Sequence, residues 1–136
     1  MLLAIDVGNT NMVFGLFEGE ELRGSFRIST NASSTSDEIG MMILQYYHFK
    51  GYKPEDTTAV IIASVVPPVM YSLTNAIRKY FSLKPMIVGT DVPTGIVNHY
   101  ANPREVGVDR LVNAVSAIEK YGTPLIIVDI GTAITF

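Results

Sequence analysis

The sequence predicts an α/β fold with an antiparallel opening and a parallel remainder. Three observations predict it. The first 30 residues hold three short strand-like runs separated by turns at hairpin distance. From residue 35 onward, helix-period segments alternate with apolar runs too short to be helices. An apolar run closing in Asp, an apolar residue and Gly occurs twice, once at each end of the chain.

Taken in order, LLAIDV (2–7) is a short apolar run before a Gly-Asn turn, the pattern of a buried strand. MVFGLF (12–17) follows at hairpin distance, EGEE (18–21) turns the chain, and LRGSFRIST (22–30) alternates as a third strand. The texture then changes. Thr35 and Glu38 have capping-box spacing, and Asp37 and Glu38 sit where a helix dipole favours negative charge, so a helix is expected to about Gly51. TAVIIAS (58–64) is a further buried strand. Pro67-Pro68 opens a second helix, where proline loses no hydrogen bond, with Val69, Leu73, Ile77, Tyr80 and Phe81 on one face. PMIV (85–88) is a short strand and 89–104 a long loop of the kind that carries function. A third helix is expected from about Glu105 to Tyr121 with Leu111, Val115 and Ile118 inward, and LIIVDI (125–130) as a last strand.

Composition narrows the function. With 48% hydrophobic and 17% charged residues, the 136-residue chain suits a soluble globular protein with a real core. The net charge is −3 and Arg78-Lys79 is the sole adjacent basic pair, which argues against nucleic-acid binding. Cysteine is absent, which excludes disulfides, thiolate metal sites and Cys nucleophiles. His48 and His99 lie far apart, a poor basis for a His metal site. Asp6 arrives too early for a signal peptide, and the most apolar run, 59–70, is broken by Pro67-Pro68 and falls short of the ~20 residues of a membrane helix. A cytoplasmic protein without membrane contact is expected.

The repeat sets LLAIDVGNT (2–10) over LIIVDIGTA (125–133), with Asp6 over Asp129 and Gly8 over Gly131. It predicts a duplicated domain: a first domain over 1–124, and in 125–136 the opening strand and turn of a second. A glycine turn after a strand offers backbone N–H groups to an anion. Asn9, Thr10, Thr132 and Thr135 add donors, and Asp6 and Asp129 stand where a carboxylate could hold Mg²⁺ against a phosphate. A hairpin turn with an Asx hydrogen bond explains one such turn equally well. In EVGVDR (105–110), Asp109 could orient an attacking hydroxyl and Arg110 could fork an anionic substrate, or both could be solvated first-turn residues. Tyr100 reads as a loop anchor before a substrate wall, and His99 as solvated. Ser64, at a strand end, is either an active-site group or a hydrogen-bonder at the helix start; it has no evident base.

Four motifs in order, DVGNT (6–10), SVVPP (64–68), EVGVDR (105–110) and DIGTAITF (129–136), resemble the type III pantothenate kinases. The resemblance runs along the whole chain. It implies the superfamily of acetate and sugar kinases, heat-shock chaperones and actin, whose duplicated ribonuclease-H-like domains enclose ATP. It implies phosphorylation of the primary hydroxyl of pantothenate, the first step toward coenzyme A, by a homodimer that uses Mg²⁺ and a monovalent cation such as K⁺ or NH₄⁺. Carried over, it assigns Asp6, Gly8, Asn9 and Thr10 to a first phosphate turn and Asp129, Gly131 and Thr132 to a second, with Asp6 and Asp129 toward metal. It makes Asp109 the catalytic base and gives Tyr100, Gly107, Asp109 and Arg110 to pantothenate, Arg110 to its carboxylate. Val108 stands where the family often has Ala. The resemblance further implies that 136 residues without the second half have little kinase activity. The competing readings are a kinase of the same superfamily with another small acceptor, a non-catalytic accessory or regulatory protein, and a small α/β binding domain without duplication.

Overall fold

The computed structural model describes residues 1–131 and 133–136. Five strands form one sheet in the order β3-β2-β1-β4-β5. Strands β1 (Leu2–Val7), β2 (Asn11–Glu18) and β3 (Glu21–Ser29) are successive antiparallel neighbours. Strand β4 (Ala59–Ser64) lies parallel to β1 on its other side, and β5 (Met86–Ile87) parallel to β4. The hairpins need only short turns. The parallel pairs need crossovers, supplied by α1 (Ser36–Lys50) and α2 (Pro67–Phe81).

Strand alternation decides what each face of the sheet carries. Leu3, Ile5 and Val7 of β1, Met12, Phe14 and Leu16 of β2, and Val60 and Ile62 of β4 are buried on one face. Ile39, Ile43 and Tyr47 of α1 and Val69, Leu73, Ile77 and Phe81 of α2 close over them, and Tyr80, expected beside these, is half-buried. The buried Tyr47 hydroxyl is satisfied at 2.7 Å by Thr57 Oγ1. The α1 ends match their residues: Thr35 and Glu38 form the capping box, and Gly51, at φ 77°, takes the left-handed C-cap that a Cβ disfavours. Helix α1 meets α2 closely because Gly40 has no side chain, so the Tyr80 ring lies against its backbone.

The third helix and the last strand differ from expectation. A 3₁₀ turn occupies Pro103–Glu105, and α3 begins only at Val108, ending at Tyr121. Gly107, in extended conformation at φ −62° and ψ 148°, separates the two. Leu111 is half-buried, but Val115 and Ile118, expected inward, are 41% and 38% exposed. Helix α3 touches β4 and buries no residue completely. Of the expected strand 125–130, only β6 (Asp129–Ile130) forms, pairing antiparallel with β7 (Ile134–Thr135) in a separate ladder. An apolar run reads as a strand by composition, yet a strand exists only where a neighbour takes its backbone hydrogen bonds.

Candidate functional site

Strand β1 ends at Asp6, whose side chain lies on the sheet face opposite the α1–α2 core, and at the buried Val7, and turns through Gly8, Asn9 and Thr10 into β2. Gly8 N–H donates to Asn11 O at 3.0 Å, closing the turn. Thr30, just beyond β3, pins it from the side. Its hydroxyl donates to Gly8 O at 2.6 Å and its N–H to Thr10 O at 2.9 Å. A Cβ on Gly8 would stand 3.3 Å from Asn11 O, so this glycine serves close approach of backbone to backbone. Asn9 and Thr10 are exposed at the tip.

This turn forms one wall of a cleft of about 780 Å³ that also includes Asp109, Asn113, Asp129 and Gly131. Three carboxylates therefore look into one space. The effect is legible on Asp6, whose carboxyl is held above its usual range first by partial burial, then by the negative charges of Asp109 and Asp129. Asp6 remains open to the cleft, so solvent tempers this effect. Among the described residues, no three acidic or histidine side chains come close enough to form a ready metal cage.

Asp109 stands in the first turn of α3, half-buried, and its Oδ1 accepts the Arg110 N–H at 2.9 Å. A Cβ on Gly107 would overlap that oxygen and stand 3.2 Å from Val65 Cγ1. Glycine at 107 is what lets the carboxylate fold back beside the segment that follows β4. Asp129 closes the far side, receiving Asn113 Nδ2 in a long 3.4 Å hydrogen bond. Gly131 N–H donates to Ala133 O at 3.0 Å, so a second tight turn follows β6. Thr132, expected in this turn, lies outside the described residues.

A second cavity of about 480 Å³ adjoins the first, with Asn113, Asp129 and Thr135 common to both walls. Its lining is largely apolar, including Val106, Leu111, Ile126 and Phe136, and Tyr100 and Arg110 are among its polar residues. Arg110 is exposed, and among the described residues its guanidinium has no ion-pair partner. The loop that presents Tyr100 is braced by side chains: Asn98 Oδ1 accepts Tyr100 N–H at 3.0 Å, Asn98 Nδ2 donates to Pro103 O at 3.2 Å, and Asn102 Nδ2 to Glu105 Oε1 at 2.8 Å.

The structure thus brings Asp6, Gly8, Asn9, Thr10, Asp109, Asp129 and Gly131 to one cleft, and Tyr100 and Arg110 to its neighbour. Gly107 shapes the approach of Asp109. Ser64 is a hydrogen-bonder at the helix start, its Oγ accepting Val66 N–H at 3.1 Å. His99 lines neither cavity. Sequence reasoning missed Arg27, Thr30 and Asn113. Their signal lies in strand register and helix phase, which single motifs do not carry.

Comparison with known proteins places the chain in a family. Residues 2–136 match the model of the type III pantothenate kinase family. The chain is 52% identical, over all 136 residues, to proteins named type III pantothenate kinase from Finegoldia magna and Geobacillus kaustophilus, covering 52% and 53% of their lengths. The chain spans about half the length of the curated relatives it matches. With the match running along almost every residue, the chain belongs to the type III pantothenate kinase family.

Proposed function

We propose that the protein transfers the γ-phosphoryl group of ATP to the primary hydroxyl of pantothenate, the entry reaction to coenzyme A. The observation that carries the proposal is the convergence of Asp6, Asp109 and Asp129 on one cleft beside an apolar pocket with a lone arginine. Pantothenate suits that pocket chemically. Its gem-dimethyl carbon and methylene groups match the apolar lining, its carboxylate matches the Arg110 fork, and its primary hydroxyl needs a base at the boundary with the phosphate cleft.

Asp109 is that base. Arg110 N–H occupies Oδ1, and Oδ2 takes the hydroxyl proton as the acceptor oxygen attacks the γ-phosphorus. The new P–O bond forms as the bond to the β-phosphate oxygen breaks, ADP leaves, and the proton resides on Asp109. The Gly8 and Gly131 N–H groups are engaged within their own turns, so the donors to the polyphosphate come from the exposed tip of the first turn, at Asn9 and Thr10. Asp6 and Asp129 are the residues that would hold Mg²⁺. Two hard oxygen donors, with no cluster of three acidic or histidine ligands among the described residues, fit an ion that keeps several of its own waters. Bound there, Mg²⁺ would neutralise phosphate oxygens that these carboxylates otherwise repel.

The finer architecture belongs to the same proposal: a ribonuclease-H-like first domain over 1–124, a second domain opening at 125–136, a cytoplasmic homodimer, and a requirement for K⁺ or NH₄⁺. The exposed apolar side chains of Ile126, Ile130 and Phe136 support the part of it that gives these residues a covering partner surface.

Pantothenate-dependent ADP release by the full-length protein tests the reading, with Asp109→Asn beside it. Wild type is expected to turn over. The variant should lose about 10²–10⁴-fold in kcat while still binding ATP. Folded full-length protein that ignores pantothenate in Mg²⁺ and K⁺ would overturn it.

A further inference from the structure

The phosphate cleft contains one basic side chain, and no motif points to it. Arg27 lies on β3, at the edge of the sheet. The register carries it to the site: Asp6 pairs with Val13 across the β1–β2 ladder, and Val13 with Arg27 across the β2–β3 ladder. Residues paired directly across a ladder share a face. Arg27 therefore stands in the same cross-strand row as Asp6, two strand spacings or about 10 Å away, and lines the cleft with Gly8, Asn9 and Thr10.

Its neighbour on the strand sharpens the point. Arg23 is fully engaged, with Nε 3.0 Å from Glu18 and Nη1 2.8 Å from Glu21. Arg27 has no carboxylate partner among the described residues, although three carboxylates line the same cleft. Its guanidinium is exposed, so its position costs no desolvation and needs no structural partner. A cleft with acids on one side and a free guanidinium on the other suits a ligand with negative charge along its length, bridged to the acids by a cation.

We propose that Arg27 binds the terminal phosphates of the nucleotide, from the side of the polyphosphate opposite Asp6 and Asp129. This rests on the reading of the cleft as a nucleotide site. The planar fork of arginine can hold two phosphate oxygens at once and offset the charge that the three carboxylates leave uncompensated. The role is distinct from that of Arg110, which lines the adjacent pocket.

The test is nucleotide titration of the full-length protein with Mg²⁺ and without pantothenate, for wild type, Arg27→Gln and Arg27→Lys. Expected is a loss of about 10- to 100-fold in ATP affinity for Arg27→Gln, a smaller loss for ADP, and adenosine within about twofold of wild type. Arg27→Lys should fall between, because it keeps the charge and loses the fork. Pantothenate KM should not move. ATP affinity of Arg27→Gln within about twofold of wild type overturns the proposal. So does an equal loss for ATP and adenosine, which would mark a distorted cleft, or a change confined to pantothenate KM. Should wild type bind Mg²⁺–ATP yet fail to phosphorylate pantothenate, the acceptor assignment falls while the titration still judges Arg27.

Discussion

The region built on β1–β5 with α1 and α2 and the region from α3 onward treat their apolar residues in opposite ways. In the first, Leu3, Val7, Phe14, Leu16, Ile43, Leu73 and Ile77 are wholly buried. In the second, α3 buries nothing completely, and Ile126, Ile130 and Phe136 are 88%, 77% and 93% exposed. The chemistry divides along the same line. The packed region contributes Asp6 and the Gly8–Thr10 turn from the end of a central strand, whereas Asp109, Arg110 and Asp129 come from the lightly packed one. If the Gly8–Thr10 turn binds phosphate as proposed, it must hold its shape, and the hydrogen bonds from Thr30 pin it at the end of a central strand. The proposed acceptor site would have to admit substrate, and residues with few buried contacts open at little cost in free energy.

If this contrast is energetic, equal truncations in the two regions should have unequal costs. Phe14 is packed face to face on Phe26, centroids 4.5 Å apart, and Phe26 stacks in turn on Tyr46 at 4.3 Å. Phe14→Ala should lower unfolding free energy by about 3–5 kcal/mol. Ile126→Ala should change it by less than about 0.5 kcal/mol. Urea denaturation of the 136-residue chain measures both. Comparable losses would mean that residues 125–136 are part of the folding unit, and the contrast would fail.

A subtler division runs inside the packed region, between helix preference and helix contact. Alanine ordinarily improves on glycine within a helix by about 0.5–1 kcal/mol. At Gly40 the contact should win, because a Cβ there would run into the Tyr80 ring. That ring has little room to yield, since its hydroxyl donates to Asp37 Oδ1 at 2.7 Å and Lys79 Nζ lies 2.7 Å from the same oxygen. Gly40→Ala is expected to destabilise by about 1–3 kcal/mol in the same assay. Stabilisation would show that α1 and α2 can separate without loss, and that the first region is looser than its burial suggests.

Legibility followed the same boundary. The hairpins, the capping box at Thr35 and Glu38, and the inward face of α2 were readable because local chemistry and tertiary contact agree there. The α3 start was misplaced by three residues because Gly107 is extended to admit Asp109, a contact invisible to helix propensity. Val115 and Ile118 have helical spacing, but spacing says which residues share a side and not whether anything covers it. The two Asp-x-Gly turns were visible as a repeat, and the structure brings both to one cleft. Arg27 and Thr30 reach that cleft only through the β2–β3 register, so no linear motif could name them.

The smallest expected effect joins the two regions through one carboxylate. Asp6 belongs to the packed sheet, yet Asp109 and Asp129 from the other region help to raise its pKa, after burial, the larger cause. A raised carboxyl pKa means that the folded protein binds the proton more readily than the unfolded chain. Stability is therefore lost as pH rises from the unfolded value, about 3.9, through the raised folded one, and the cost is fully present above it. Asp6→Asn removes the charge without changing the shape. At pH 7 it should raise the melting midpoint slightly, by the equivalent of less than about 1 kcal/mol because solvent screens the open side. The gain should vanish below about pH 3.9, where wild-type Asp6 is itself neutral. In the full-length protein, Mg²⁺–ATP should raise the wild-type midpoint and leave that of Asp6→Asn nearly unmoved, so that the variant more stable alone becomes the less stable with ligand. A variant destabilised at pH 7 would assign Asp6 a structural part in the β1–β2 hairpin. The two regions would then share a cleft without the charge coupling on which the proposed cation and phosphate site rests.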